Sequence, residues 1–115
     1  MSVIRARAVN QARPETWASA KSTAAKMVRS ARDFDGIGHY EMYVDETRLQ
    51  LVNLAEYEDE AAWRRWIEAN RPNGAELMRS VDVASMEVYG ALSPELSRSI
   101  SSYADSTIYQ TLDLR

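Results

Sequence analysis

The chain has 115 residues, 45% of them hydrophobic, with no cysteine and with 14 basic against 17 acidic side chains for a net charge of -3. That composition fits one globular domain and excludes a disordered tract, a disulfide framework and thiolate chemistry. The signs are interspersed, so no basic stripe is present to hold a phosphate backbone, and no nucleic-acid partner is expected.

Residues 3–10 (VIRARAVN) alternate, which predicts a first strand with Ile4, Ala6, Ala8 and Asn10 on one face. The N-terminus runs straight into this pattern without the apolar core of a signal peptide. No apolar run approaches membrane-spanning length either, so the expectation is a cytoplasmic protein with no membrane partner. Pro14 and Glu15 suit a helix start, and Trp17, Ala20, Ala24, Met27 or Val28, and Ala31 mark one apolar stripe ending near Arg32.

A turn over 33–38 leads to a second strand, HYEMYV at 39–44, and a short polar connection leads on to a third, LQLVNLAEY at 49–57. Both faces of the third strand are apolar, with Leu49, Leu51, Ala55 and Tyr57 on one and Val52 and Leu54 on the other. Glu58 or Asp59 can cap a second helix carrying Ala62, Trp63, Trp66 and Ile67. The run Arg71-Pro72-Asn73-Gly74 is expected to interrupt that helix before a further turn around Leu77 and Met78. Residues 83–90 alternate as a fourth strand. Ser93-Pro94-Glu95 opens a short helix with Leu96 and Ile100, and residues 106–114 read as a closing strand.

This order predicts an α+β fold of the ferredoxin-like split βαβ kind, one domain over 1–115 with an antiparallel sheet. Residues 90–115 form an added C-terminal helix and strand, a segment available for exchange with a partner subunit. Two main helices cover one face of the sheet, and the other face, with Val52 and Leu54, calls for a second copy of the chain. At about 25 cal/mol per Å² of buried apolar area, pairing two such faces is worth several kcal/mol, and a homodimer is expected.

Few residues offer chemistry. Asn53 stands in an otherwise apolar row, either as a core amide satisfied by the backbone or as a donor to a ligand carbonyl or developing oxyanion. Trp63 and Trp66 share a helix face, as core or as an aromatic wall for a planar ligand, with Leu51 beside Asn53 on the strand below. His39, the single histidine, is the obvious general base, against the plainer reading of a solvated strand residue. Arg5 and Arg7 share the opposite strand face, where Glu41 is placed to pair with one of them. Arg79 and Glu76 are placed near a pocket mouth or form a solvated pair. One histidine and no cysteine give no metal site.

The strand LVNLAEYEDE, followed by AAWRRWIEAN, GAELM and MEVYG, resembles the antibiotic-biosynthesis monooxygenase family of dimeric α+β barrels over roughly residues 2–90. The small anthrone oxygenases of that family carry an Asn four residues before a Trp and a Tyr six residues further on. Here those positions hold Asn53, Tyr57 and Trp63, so the Asn is kept and the two aromatics exchange identity. In the haem-degrading branch a helix Trp, matched by Trp66, is accompanied by a downstream His that is absent from this chain.

The resemblance implies a homodimer that oxygenates an anthrone or quinol with dioxygen and no cofactor. Asn53 would bind the substrate oxygen, Trp63, Trp66, Leu51 and Arg79 would line the substrate, and Tyr57 or His39 would relay the proton. A non-oxidative binding protein or a polyketide cyclase of the same fold is the alternative it allows.

Overall fold

In the computed structural model, which describes residues 3–112, the alternating N-terminal segment forms β1 (Ile4–Ala12), burying Ile4, Ala6, Asn10 and Ala12. The chain continues through α1 (Trp17–Arg32), β2 (Ile37–Asp45), β3 (Gln50–Tyr57), α2 (Glu60–Ala69), α3 (Arg71–Ser80), β4 (Val81–Tyr89), α4 (Pro94–Ser101) and β5 (Ser106–Tyr109). The expected ferredoxin-like α+β order is thus present, with one sheet in the order β2-β3-β1-β4-β5.

Local chemistry explains the element boundaries, including three that differ from the sequence reading. Asp59 caps α2 by accepting from the Ala62 N–H at 2.8 Å. Pro72 does not end the helical region: it lies in the first turn of α3, where a missing N–H removes no hydrogen bond, and the Gly74 N–H donates to the Asn70 carbonyl at 2.8 Å. Leu49 belongs to the hairpin turn rather than to β3, with φ at 58°. A leucine in the left-handed region is strained, and its half-buried side chain packing on the core offsets this.

β5 is the third difference. It pairs with β4 in parallel, so the expected antiparallel sheet holds for β1 to β4 and not at this edge. The reason is the connection: α4 carries the chain back along the sheet before β5 begins, and such a crossover delivers a parallel neighbour. The closing strand expected over 106–114 is observed over Ser106–Tyr109, and its residues 113 and 114 lie outside the described residues.

All four helices bury residues on the same side of the sheet, in two clusters. One gathers Trp63 and Trp66 of α2 with Leu96 and Ile100 of α4 over Ile4, Ala55, Tyr57 and Val88. The other gathers Trp17, Ala20, Ala24 and Met27 of α1 with Leu77 of α3 over Ala12, Leu51 and Val81. Gly36 lets the turn before β2 lie against α2: its φ is +96°, and a Cβ there would sit 2.6 Å from that of Ala62.

The opposite face of the sheet remains uncovered in the single chain. Val9, Val52 and Leu54 are half-buried there, and Tyr43, Tyr89 and Tyr109 are exposed. Arg5 pairs with Glu56 at 2.9 Å and Arg7 with Glu87 at 3.7 Å. Glu41, expected to meet one of these arginines, does not: Leu54 lies between it and Arg7 in the strand register.

Candidate functional site

Three rows of side chains cross the helix-facing side of β2, β3, β1 and β4. In the first, Tyr40, Ala55, Ala6 and Val88 are buried or nearly so under α2 and α4. In the third, Leu51 and Asn10 are buried under α1 and α3. Between them run Met42, Asn53, Ala8 and Met86, all four only half-buried. The helical cover therefore parts over the middle row, between the two clusters.

Asn53 is the polar group of that row. Its Nδ2 donates to the Glu41 carbonyl at 3.1 Å, which uses one of its two N–H groups and leaves the other and the Oδ1 lone pairs uncommitted to that bond. Asn10, in the next row, is 4% exposed and donates to the Leu51 carbonyl at 3.3 Å, as a core amide does. Of the two helix-facing asparagines of the sheet, Asn53 is thus the one open to a ligand.

Tyr40 borders the same gap and packs against both clusters. Its ring meets that of Trp66 edge to face at 5.1 Å. Burial pushes the Tyr40 phenol up to about 12, with the Trp66 indole opposing the shift, so the group stays protonated and donates rather than accepts a proton at neutral pH. The sequence reading missed Tyr40, although it lies two residues from Met42 on the helix-facing side of β2; only the strand register puts it diagonally across from Asn53.

The other residues singled out from sequence divide into three groups. Leu51, Tyr57, Trp63 and Trp66 are core, exposed by 1%, 3%, 7% and 4%. Tyr57 lies four residues beyond Asn53 on the same strand face, about 13 Å away at the usual strand rise. Burial raises its phenol far above the ordinary value, and Tyr40 adds to this, so it too is protonated. His39 is exposed on the uncovered face, opposite Asn53, and within one chain the two do not meet. Arg79 is exposed near the end of α3, and its carbonyl accepts from Arg13 at 3.3 Å.

Two open grooves lie outside the middle row. One, of about 340 Å³, runs over the uncovered face past Arg5, Arg7, His39, Glu41 and Leu54. The other, of about 300 Å³, runs between α1 and the edge strand β2 over Met42, Val44 and Leu51. Among the described residues no cluster of three or more His, Asp or Glu side chains is placed to hold a metal ion. No helix among them is long and apolar enough to cross a membrane.

No family model and no curated protein matches the sequence. The fold, in contrast, is shared with solved structures. The chain is similar to MupZ from Pseudomonas fluorescens, with a TM-score of 0.76 at 13% identity over 98% of this chain and 93% of that one. It is similar to an antibiotic biosynthesis monooxygenase, with a TM-score of 0.62 at 17% identity over 81% of this chain and 98% of that one. A third is SnoaB, a cofactor-independent oxygenase from Streptomyces nogalater solved as an asparagine-to-alanine mutant, with a TM-score of 0.63 at 15% identity over 80% of this chain and 94% of that one. The chain therefore has the fold of the antibiotic-biosynthesis monooxygenases. The match to MupZ, which spans nearly the whole chain, also takes in most of α4 and β5.

Proposed function

We propose that the protein is a cofactor-independent monooxygenase that oxidises an aromatic, polyketide-like anthrone or quinol with dioxygen, acting as a homodimer. The observation that carries this reading is the incompletely bonded Asn53 amide in the gap between the two clusters. The shared fold with proteins named as oxygenases supports it, one of them studied as an asparagine mutant. Fold by itself does not assign chemistry, and the reading rests on the site.

For an anthrone the steps balance as follows. Loss of a proton from the ring CH₂ gives a carbanion whose charge lies largely on the carbonyl oxygen, where Asn53 Nδ2 and the Tyr40 hydroxyl donate hydrogen bonds. The carbanion passes one electron to dioxygen, and the two radicals combine to form a C–O bond. Protonation yields a hydroperoxide; cleavage of its O–O bond with loss of the second CH₂ hydrogen releases water and leaves a carbonyl. One substrate and one dioxygen give one quinone and one water. The protein's part is orientation, exclusion of water and stabilisation of the oxyanion, with Met42, Met86 and the Trp66 edge around the ring.

A homodimer formed through the uncovered sheet face would shelter Val52 and Leu54, which no helix of the chain covers. A second reading, a non-oxidative binding protein or cyclase of the same fold, is favoured by one observation. The two tyrosines on the helix-facing side hold their protons and His39 lies on the other face, so one chain offers no ready base beside Asn53. Oxygen uptake against a panel of anthrones and quinols, without added cofactor, separates the two. The oxygenase reading expects uptake that Asn53→Ala lowers by about 100-fold, in line with loss of one oxyanion donor. Tight binding of the panel with no uptake supports the second reading and overturns the first.

A further inference from the structure

We infer that the groove between α1 and the edge strand β2 binds a small aromatic carboxylate, its ring on the apolar floor and its carboxylate on Arg29 and Arg32. In a chain of net charge -3, α1 carries Lys21, Lys26, Arg29 and Arg32 and no acidic residue. Lys21, Ala24, Ala25, Val28, Arg29 and Arg32 recur at three- and four-residue steps, so they form one stripe, and that stripe is the helix wall of the groove.

The floor is Met42, Val44 and Leu51. Val44 is 51% exposed although it lies on the helix-facing side of β2, so an apolar surface is left open directly below the cations. Lys21 is already paired with Glu46 at 3.2 Å. Among the described residues Arg29 and Arg32 have no ion-pair partner within 4.0 Å, in contrast to Arg5, Arg7, Arg13, Arg48, Arg64 and Arg71. The positive charge of the groove is therefore concentrated at its Arg29 and Arg32 end.

The helix dipole accounts for basic residues in a last turn. It does not account for an uncovered valine and methionine beneath them. An apolar floor beside planar guanidinium groups is complementary to a ring bearing a carboxylate. The groove volume, about 300 Å³, is at the lower end of the range for small-molecule sites and suits two or three fused rings rather than a protein segment. Met42 lies beside Asn53 in the β2–β3 register, so the groove reaches the edge of the middle row. The inference goes beyond the oxygenase reading and does not rest on it, because it concerns binding alone.

The test compares anthracene-2-carboxylate with its neutral isostere anthracene-2-carboxamide, by fluorescence titration and by the methyl NMR shifts of Val28, Met42 and Val44. The carboxylate should bind about tenfold tighter than the amide and move those methyl signals. Arg29→Glu with Arg32→Glu should weaken the carboxylate by at least about tenfold and leave the amide within about twofold, and the double lysine variant should retain most of the preference. Equal affinity for acid and amide, unmoved methyl signals, insensitivity to the charge reversal, or no binding up to about 1 mM would each overturn the inference. Both arginines are exposed, so the variants should fold. Absence of oxygen uptake would leave these binding outcomes as they stand.

Discussion

Tyr57, at the end of β3, and Trp63, in the first turn of α2, stack with ring centroids 5.1 Å apart and planes 7° apart. Both are nearly inaccessible, so the contact closes the first core cluster instead of facing a ligand. Trp63→Ala should destabilise the fold by about 3–5 kcal/mol, the usual range for emptying a buried aromatic site. Urea unfolding checks this. A variant as stable as the wild type would show that Trp63 is not core, and would return it to the list of ligand contacts.

Ala8 tests the location of the ligand. It is half-buried in the middle row, with Asn53 on one neighbouring strand and Met86 on the other. Ala8→Phe should place a ring in the gap and weaken anthrone binding by at least about tenfold. Because the gap is open, the change in folding stability should stay below about 1 kcal/mol, less than overpacking a closed core entails. Unimpaired binding in a folded Ala8→Phe protein would move the site elsewhere.

Glu60 ties the C-terminal segment to α2. Its carboxylate accepts from the Ser93 N–H and the Ser93 hydroxyl, both at 2.7 Å, and from Arg64 at 2.8 Å. Burial acts to raise its pKa, but the bonds from Ser93 and Arg64 prevail and hold it below the ordinary carboxylate value of 4.5. A depressed carboxylate contributes stability that is present above the unfolded-state value and is lost as pH falls through the folded-state value. The wild type should therefore lose thermal stability below about pH 4.5 more steeply than Glu60→Gln. At neutral pH the variant should show faster amide exchange in α4, and parallel melting curves for the two proteins across that pH range would contradict the assignment.

The uncovered sheet face makes its own prediction. The proposed homodimer should sediment at twice the 13.0 kDa chain mass. Leu54→Arg, at a position half-buried in the single chain, should shift the protein to monomer without unfolding it, since a guanidinium on that face is solvated in the monomer and desolvated in the pair. A wild type that remains monomeric at high concentration would refute the dimer directly.

Much of this architecture was legible in the sequence because periodicity is local. Alternation over 3–10 marked β1, and the three- and four-residue spacing from Trp17 to Ala31 marked α1 nearly to its last residue. The misreadings have local causes too. Pro72 was taken as a break, yet a proline in a first turn is compatible with a helix, and only the chain path after Asn70 distinguishes the two. Leu49 fits the apolar pattern of β3, but the hairpin geometry puts it in the left-handed region.

The candidate site was partly legible. Asn53 stood out as an amide in an apolar row, and the aromatics around it stood out as a cluster. Their roles did not follow from spacing: Tyr57, Trp63 and Trp66 were equally compatible with a wall and with a core, and burial decides for core. His39 and Tyr40 are adjacent in sequence and therefore face opposite sides of the sheet, which gives Tyr40, and not the histidine, to the Asn53 side.

By itself, then, the sequence determined the order of the elements, the two-sided apolar character of β3 and the presence of one unusual amide, since each depends on residues near one another in the chain. Which row of the sheet the helices leave open, which asparagine is buried, which acid pairs with Arg5 and where the cations of α1 meet an uncovered strand were decided by the tertiary structure. These depend on strand register and on how four helices divide one sheet face into two clusters, and neither is encoded in any single stretch of the chain.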